Sequence, residues 1–294
     1  MSSRAPYFLI ATFPLVASLV VLSFADVSRN VWLMHVLLLG LTALLIVAGQ
    51  FLDRWPQHSR PNALITLLTL VGLAVTLLDQ SAGPRRWISW GPVNLYIAPV
   101  LLPSFLAACS VSLRQRGGQQ VGTFTVLVAA SVLLAWQPDA SQVAALLAAS
   151  AVLFVRYRPN GFSSISTLIV IALITAWAFT RPDPLAPVPY VEGVFALALS
   201  HSLLAGVAVI ASAFVFLAGF CVYARRSAAW LDAVAAYYAA LFVCSVAGLT
   251  PAPLIGYGAG PWLGFGFLAA VSGWIDPAAL PNKPGKLPPP DLAA

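Results

Sequence analysis

Charge is what this chain has least of. Only 8% of its 294 residues are Asp, Glu, Lys or Arg, while 60% are hydrophobic. A water-soluble domain of this length has no interior large enough for that much apolar surface, so the composition excludes that class and points to an integral membrane protein. Cysteine is scarce too. Cys109, Cys221 and Cys244 all lie inside apolar runs, and an odd count without C-x-x-C spacing excludes a disulfide framework and a cysteine metal site, leaving three small packing residues. Of the three histidines, His35, His58 and His201, none has a ligand partner nearby in sequence, and the two within apolar runs read as helix-packed rings with one hydrogen bond each. A phosphate-binding P-loop, a Rossmann glycine pattern and a histidine pair at helical spacing are also missing. Any reaction would therefore use a lipid-borne or otherwise pre-activated substrate.

Apolar runs are present in abundance, at about residues 7–25, 31–52, 62–78, 95–113, 121–136, 141–155, 163–179, 193–223, 229–249 and 258–275. At 1.5 Å per residue each is near the length that crosses a hydrocarbon core of about 30 Å, which predicts ten transmembrane helices. The runs at 121–136 and 141–155 are short enough to be either tilted spans or a re-entrant pair. The first run is followed at once by a second, so it reads as a retained span rather than a cleaved leader. Residues 1–275 form a single transmembrane domain on this reading. The segment 276–294, rich in proline and small residues, reads as a cytoplasmic tail.

The formal charge of +6 does not mark a nucleic-acid binder, because the basic residues are scattered as short pairs rather than gathered in a stripe. Their distribution follows topology instead. Arg4, Arg54, Arg60, Arg114, Arg116, Arg156, Arg158, Arg225, Arg226, Lys283 and Lys286, eleven of the fifteen, fall in the N-terminus, the even-numbered connections and the tail. Only Arg29, Arg85, Arg86 and Arg181 fall in the others. Short cytoplasmic loops are enriched in Lys and Arg, so both termini are placed in the cytoplasm.

That orientation puts Arg85 and Arg86 on the outer face, where topology gives them no reason to be. Asp26, Asp79, Asp139, Asp183 and Glu192 are expected on the same face. The stretch carrying the arginines, Gly83-Pro-Arg-Arg-Trp-Ile-Ser-Trp-Gly-Pro92, resembles the external motif of the SEDS family (shape, elongation, division and sporulation), the RodA/FtsW-type peptidoglycan polymerases, through Gly83, Arg86, Trp87, Gly91 and Pro92. Gln137-Pro138-Asp139 resembles the family's Gln-Pro-Asp, and residues 247–263, with Gly256, Tyr257 and Gly258, resemble its Gly/Pro-rich region before the last helix. The sequence departs from the family in three places. Tyr96-Ile97-Ala98-Pro99 stand where the family has Gln-Pro-Ser-Glu, Glu192 stands at the family's proposed catalytic aspartate, and the loop before it, residues 180–191, is short and proline-rich.

The resemblance implies polymerisation of a lipid-linked disaccharide precursor, with a polyprenyl pyrophosphate as leaving group. It casts Glu192 as the base and Arg85 or Arg86 as the phosphate clamp, with Trp87 and Asp183 beside them on the substrate. It also leaves room for a divalent cation as cofactor, and for a transpeptidase or other envelope protein as partner besides membrane lipids. The residues support plainer readings as well. The arginines with Trp87 and Trp90 suit lipid headgroups, and Asp139-Ala-Ser-Gln142 reads as a capping box opening the sixth span. The glycines of 256–266 suit close helix packing, and Glu192 suits a helix N-terminus. A non-catalytic assembly or regulatory subunit of an envelope machine is therefore the alternative to the enzyme.

Overall fold

The computed structural model describes residues 4–52, 61–78, 85–90, 93–115, 117–181, 186–226 and 228–276. Gly83, Gly91, Pro92, Asp183 and tail residues 277–294 lie outside them. The described chain is a helical bundle and a multi-pass membrane protein. Six helices are long and apolar enough to cross a membrane: α1 (Ala5–Phe24), α2 (Arg29–Leu52), α5 (Gly118–Trp136), α6 (Ala140–Tyr157), α7 (Gly161–Phe179) and α9 (Leu203–Arg226). Four shorter apolar helices complete the expected ten: α3 (Pro61–Thr76), α4 (Ile97–Leu113), α10 (Trp230–Val246) and α11 (Ala259–Ile275). The residues read as tilted spans or a re-entrant pair form α5 and α6, full-length helices of 19 and 18 residues.

Two features depart from the sequence reading. The eighth apolar run is not one helix. It breaks at Ser202, whose backbone is extended (φ −166°, ψ 154°), into the eight-residue α8 (Val194–His201) and α9. A continuous helix over 193–223 would be about 46 Å long, well beyond the hydrocarbon core. The Ser202 hydroxyl accepts the Ala205 N–H at 3.1 Å and so caps the new helix. The second departure is a small antiparallel hairpin, β1 (Trp87–Trp90) with β2 (Val93–Tyr96), pairing Trp87 with Tyr96 and Trp90 with Val93. Two four-residue runs rich in aromatic and branched side chains, separated by Gly91-Pro92, fit a hairpin better than the start of a span.

The interior is close-packed where glycine lets helices approach. A Cβ on Gly264 of α11 would run into the Pro99 carbonyl of α4, and one on Gly49 of α2 would lie 2.6 Å from the Ala270 Cα of α11. These glycines allow α11 to lie between α2 and α4 at backbone distance. At one end of the bundle, fully buried Arg4 gathers helix C-termini. Its guanidinium donates to the carbonyls of Gly49 and Ala270 at 3.2 Å each, and to Ala269 O and Ser272 Oγ. A cation there also meets the negative ends of the α2 and α11 dipoles. Arg114 pairs with Asp276 at 2.7 Å, and Asp276 also accepts from Trp230 Nε1 at 3.2 Å. Cys109 and Cys244 are buried and Cys221 is half-buried, all three as free thiols.

Candidate functional site at the hairpin end

A cavity of about 620 Å³ opens at the hairpin end of the bundle. It is built from four separate parts of the chain. Arg86 and Trp87 come from the turn into β1, Asn94 and Tyr96 from β2, Glu192 from the turn before α8, and Tyr257 and Gly258 from the loop before α11. Its remaining wall is apolar, with Met34, Leu37, Leu38 and Leu41 of α2 forming a strip along one side. The spacing i, i+3, i+4, i+7 is one face of a helix, so the strip runs along α2.

The Gln137-Pro138-Asp139 turn lies behind this cavity and braces it. Gln137 and Asp139 are buried. The Gln137 amide donates to Leu73 O and Thr76 Oγ of α3, both at 2.8 Å. Arg86, only 6% exposed, donates from Nε to Gln137 O at 3.3 Å and from Nη2 to Pro138 O. Tyr96 donates its hydroxyl to the Asp139 carboxylate. Burial pushes that hydroxyl well above its ordinary range, and the Asp139 charge adds to the shift. Asp139 also caps α6, its Oδ1 accepting the Gln142 N–H at 3.4 Å. The reciprocal half of a capping box is replaced, because the Gln142 side chain accepts from the Tyr237 hydroxyl at 2.7 Å. One polar chain therefore runs from α3 through the hairpin to α10.

Glu192 is held by a tight turn. The Val188 carbonyl accepts N–H bonds from Val191, Glu192 and Gly193, and Glu192 Oε2 accepts the Val188 N–H at 2.9 Å. The end of the proline-rich loop thus folds back on itself from Val188 onward. The turn is fixed to the third motif: Ala252 N donates to Val191 O at 3.1 Å, and Tyr257 N to Tyr190 O at 2.8 Å. A Cβ on Gly256 would strike the Val191 carbonyl, so this glycine is needed for that approach. Gly260, whose Cβ would lie 2.6 Å from Pro99 Cγ, serves helix packing.

The structure brings Arg86, Trp87, Glu192, Tyr257 and Gly258 around one cavity and sets Gln137, Pro138, Asp139 and Gly256 behind its walls as supports. Arg85 is exposed on the hairpin. Asn94 and Tyr96 were not singled out from sequence as site residues. Tyr96 counted only as a departure from a motif, although an aromatic hydroxyl next to a buried turn acid is the signal that marks it. Among the described residues, no group of three or more His, Cys, Asp or Glu side chains could hold a metal ion. Glu192 is the one carboxylate among the described lining residues, and it shares the cavity with a guanidinium. That donor set does not fit a hard divalent cation, which takes several oxygen ligands.

No protein-family model matches the chain. A 111-residue stretch is 29% identical to a protein of Halothiobacillus neapolitanus described as "Probable peptidoglycan glycosyltransferase FtsW", over 35% of this chain and 27% of that protein's length. The whole bundle superimposes on crystal structures of the rod shape determining protein RodA from Thermus thermophilus. The wild-type structure gives a TM-score of 0.67 at 19% identity, covering 90% of this chain and 95% of RodA. An aspartate-to-alanine variant gives 0.68 at 18%, covering 90% and 96%. A chain from a peptidoglycan synthase complex that coordinates polymerization and crosslinking matches with the same score, identity and coverage as that variant. At these identities the likeness is one of fold: the described bundle has the fold of RodA.

Proposed function

We propose that this chain, which has the fold of RodA, is a SEDS-type protein of peptidoglycan biogenesis that works at the outer face of a bacterial inner membrane, with both termini in the cytoplasm. Its substrate is a lipid-linked disaccharide precursor. The observation that carries the reading is the composition of the cavity: an acid and an arginine in its lining, together with an apolar strip of α2. A polar headgroup on a long hydrocarbon chain needs that combination.

Glu192 takes the proton of the acceptor sugar hydroxyl. The freed oxygen bonds the anomeric carbon of the donor, and the bond from that carbon to the polyprenyl pyrophosphate breaks. The cationic edge formed by Arg86 within the cavity and Arg85 outside it receives the pyrophosphate charge. Trp87 offers a flat apolar face to sugar or prenyl chain. A transpeptidase or another envelope protein is the expected partner.

One observation favours the alternative of a non-catalytic subunit. Arg86 Nε and Nη2 already bond backbone carbonyls, and Glu192 Oε2 already bonds a backbone N–H. Polymerisation of purified lipid-linked precursor separates the two readings. On the enzyme reading Glu192→Gln abolishes product while the protein still folds, and Glu192→Asp keeps or raises it. Inert parent and Glu192→Asp proteins, together with cells indifferent to Glu192→Gln, would leave the subunit.

A further inference from the structure

Behind the α2 strip lies a second polar site that none of the foregoing uses. His35, on α2, is fully buried, and its Nε2 lies 3.1 Å from the Ser18 hydroxyl of α1. Ser18 has one hydroxyl hydrogen and donates it to Leu15 O at 2.8 Å. With that hydrogen engaged, the Ser18–His35 bond is assigned the other way, from ring N–H to serine oxygen. These partners assign the uncharged ring as the Nε2–H tautomer, which leaves Nδ1 as a bare acceptor. Among the described residues Nδ1 has no partner, and neither does Nε1–H of Trp262 on α11, a side chain only 1% exposed. The two rings are neighbours, with centroids 6.4 Å apart and planes at 82°.

A buried acceptor and a buried donor, each without a partner among the described residues and carried on neighbouring rings, are complementary. Either one left unsatisfied loses its hydrogen bonds to water without replacement, which is unfavourable. A single oxygen that accepts one hydrogen bond and donates another satisfies both, at about 2.9 Å from each nitrogen. We propose that a hydroxyl group occupies this position, accepting from Trp262 Nε1–H and donating to His35 Nδ1, and that in the ligand-free protein it belongs to a sequestered water. Carboxylates and ammonium groups do not suit the site, since the first cannot donate and the second cannot accept. The bridge ties α2 to α11 beside Tyr257, whose ring centroid is 6.0 Å from that of His35 and which lines the cavity. A ligand hydroxyl reaching past Tyr257 would replace the water with the same two bonds.

The test is NMR on the full chain in lipid nanodiscs, with 15N-labelled histidine and tryptophan and Trp262→Phe to assign the indole signal. In the ligand-free protein, His35 Nδ1 is expected to be unprotonated and shifted upfield by an accepted hydrogen bond. The Trp262 indole proton should show a cross-peak to water, and in Trp262→Phe the Nδ1 signal should move toward its unbonded position. Bonded signals that appear only after adding lipid-linked disaccharide precursor would overturn the sequestered water and assign the oxygen to the ligand instead. A protonated Nδ1, or two unbonded nitrogens with and without precursor, would overturn the proposal. The ligand-free spectra need no polymerase activity, so this inference and the proposed function stand or fall separately.

Discussion

Arg86 Nε donates to the Gln137 carbonyl at 3.3 Å across 51 positions of sequence. This bond joins the hairpin motif to the turn between α5 and α6, and it gives the arginine a bracing duty besides its place in the cavity lining. Arg86→Lys keeps the charge and loses the fork. We expect it to lower stability by about 1.5–3 kcal/mol, the range for hydrogen bonds to charged groups, read as thermal unfolding in detergent. Arg85→Lys, on the exposed side of the same turn, should leave unfolding unchanged.

The Tyr96 hydroxyl is raised by burial and by Asp139, which gives a pH dependence of known sign. The neutral phenol is favoured in the folded state, so its contribution is complete below the unfolded value near 10 and falls as pH climbs above it. Unfolding followed from pH 8 to 11 should show an alkaline loss of stability that Tyr96→Phe reduces. An equal loss in the variant would mean that another group carries it.

Gly264 and Gly40 make a matched pair. A methyl at Gly264 would run into the Pro99 carbonyl, whereas one at Gly40 meets nothing within 4 Å. Gly264→Ala should destabilise by about 1–3 kcal/mol or more through overpacking. Gly40→Ala should be neutral or stabilising by up to about 1 kcal/mol through helix propensity. Melting temperatures in detergent report both.

Orientation can be tested at Arg158 and Arg181, which flank α7 at its two ends. After the native thiols are replaced by serine or alanine, a membrane-impermeant thiol reagent applied to intact cells should label a cysteine at 181 and leave one at 158 unlabelled. The opposite pattern would invert the topology and remove the proposed outer site.

The ten hydrophobic segments were legible because lipid demands length and apolarity, and little else in a sequence produces ten such runs. The break at Ser202 was not, because α8 and α9 are both apolar and the residue between them is neither proline nor glycine. The candidate site was legible as three motifs but not as a geometry. That Glu192 and Tyr257 share a wall depends on backbone bonds such as Tyr257 N to Tyr190 O, which leave no trace in side-chain identity. The bracing role of Arg86 was hidden for the same reason, since its partners are carbonyl oxygens that every residue carries.

The buried Arg4 sets an order of events during synthesis. Its partners Ala269, Ala270 and Ser272 emerge from the ribosome some 265 residues after it does. Until then the first helix can be inserted and oriented, but its leading guanidinium must wait in the headgroup region, where water and phosphates can solvate it. The arrival of the last helix supplies the Ala269, Ala270 and Ser272 acceptors and lets the arginine be drawn in. A chain interrupted before α11 would be left with an undocked N-terminus, and that exposed end would distinguish unfinished molecules from finished ones.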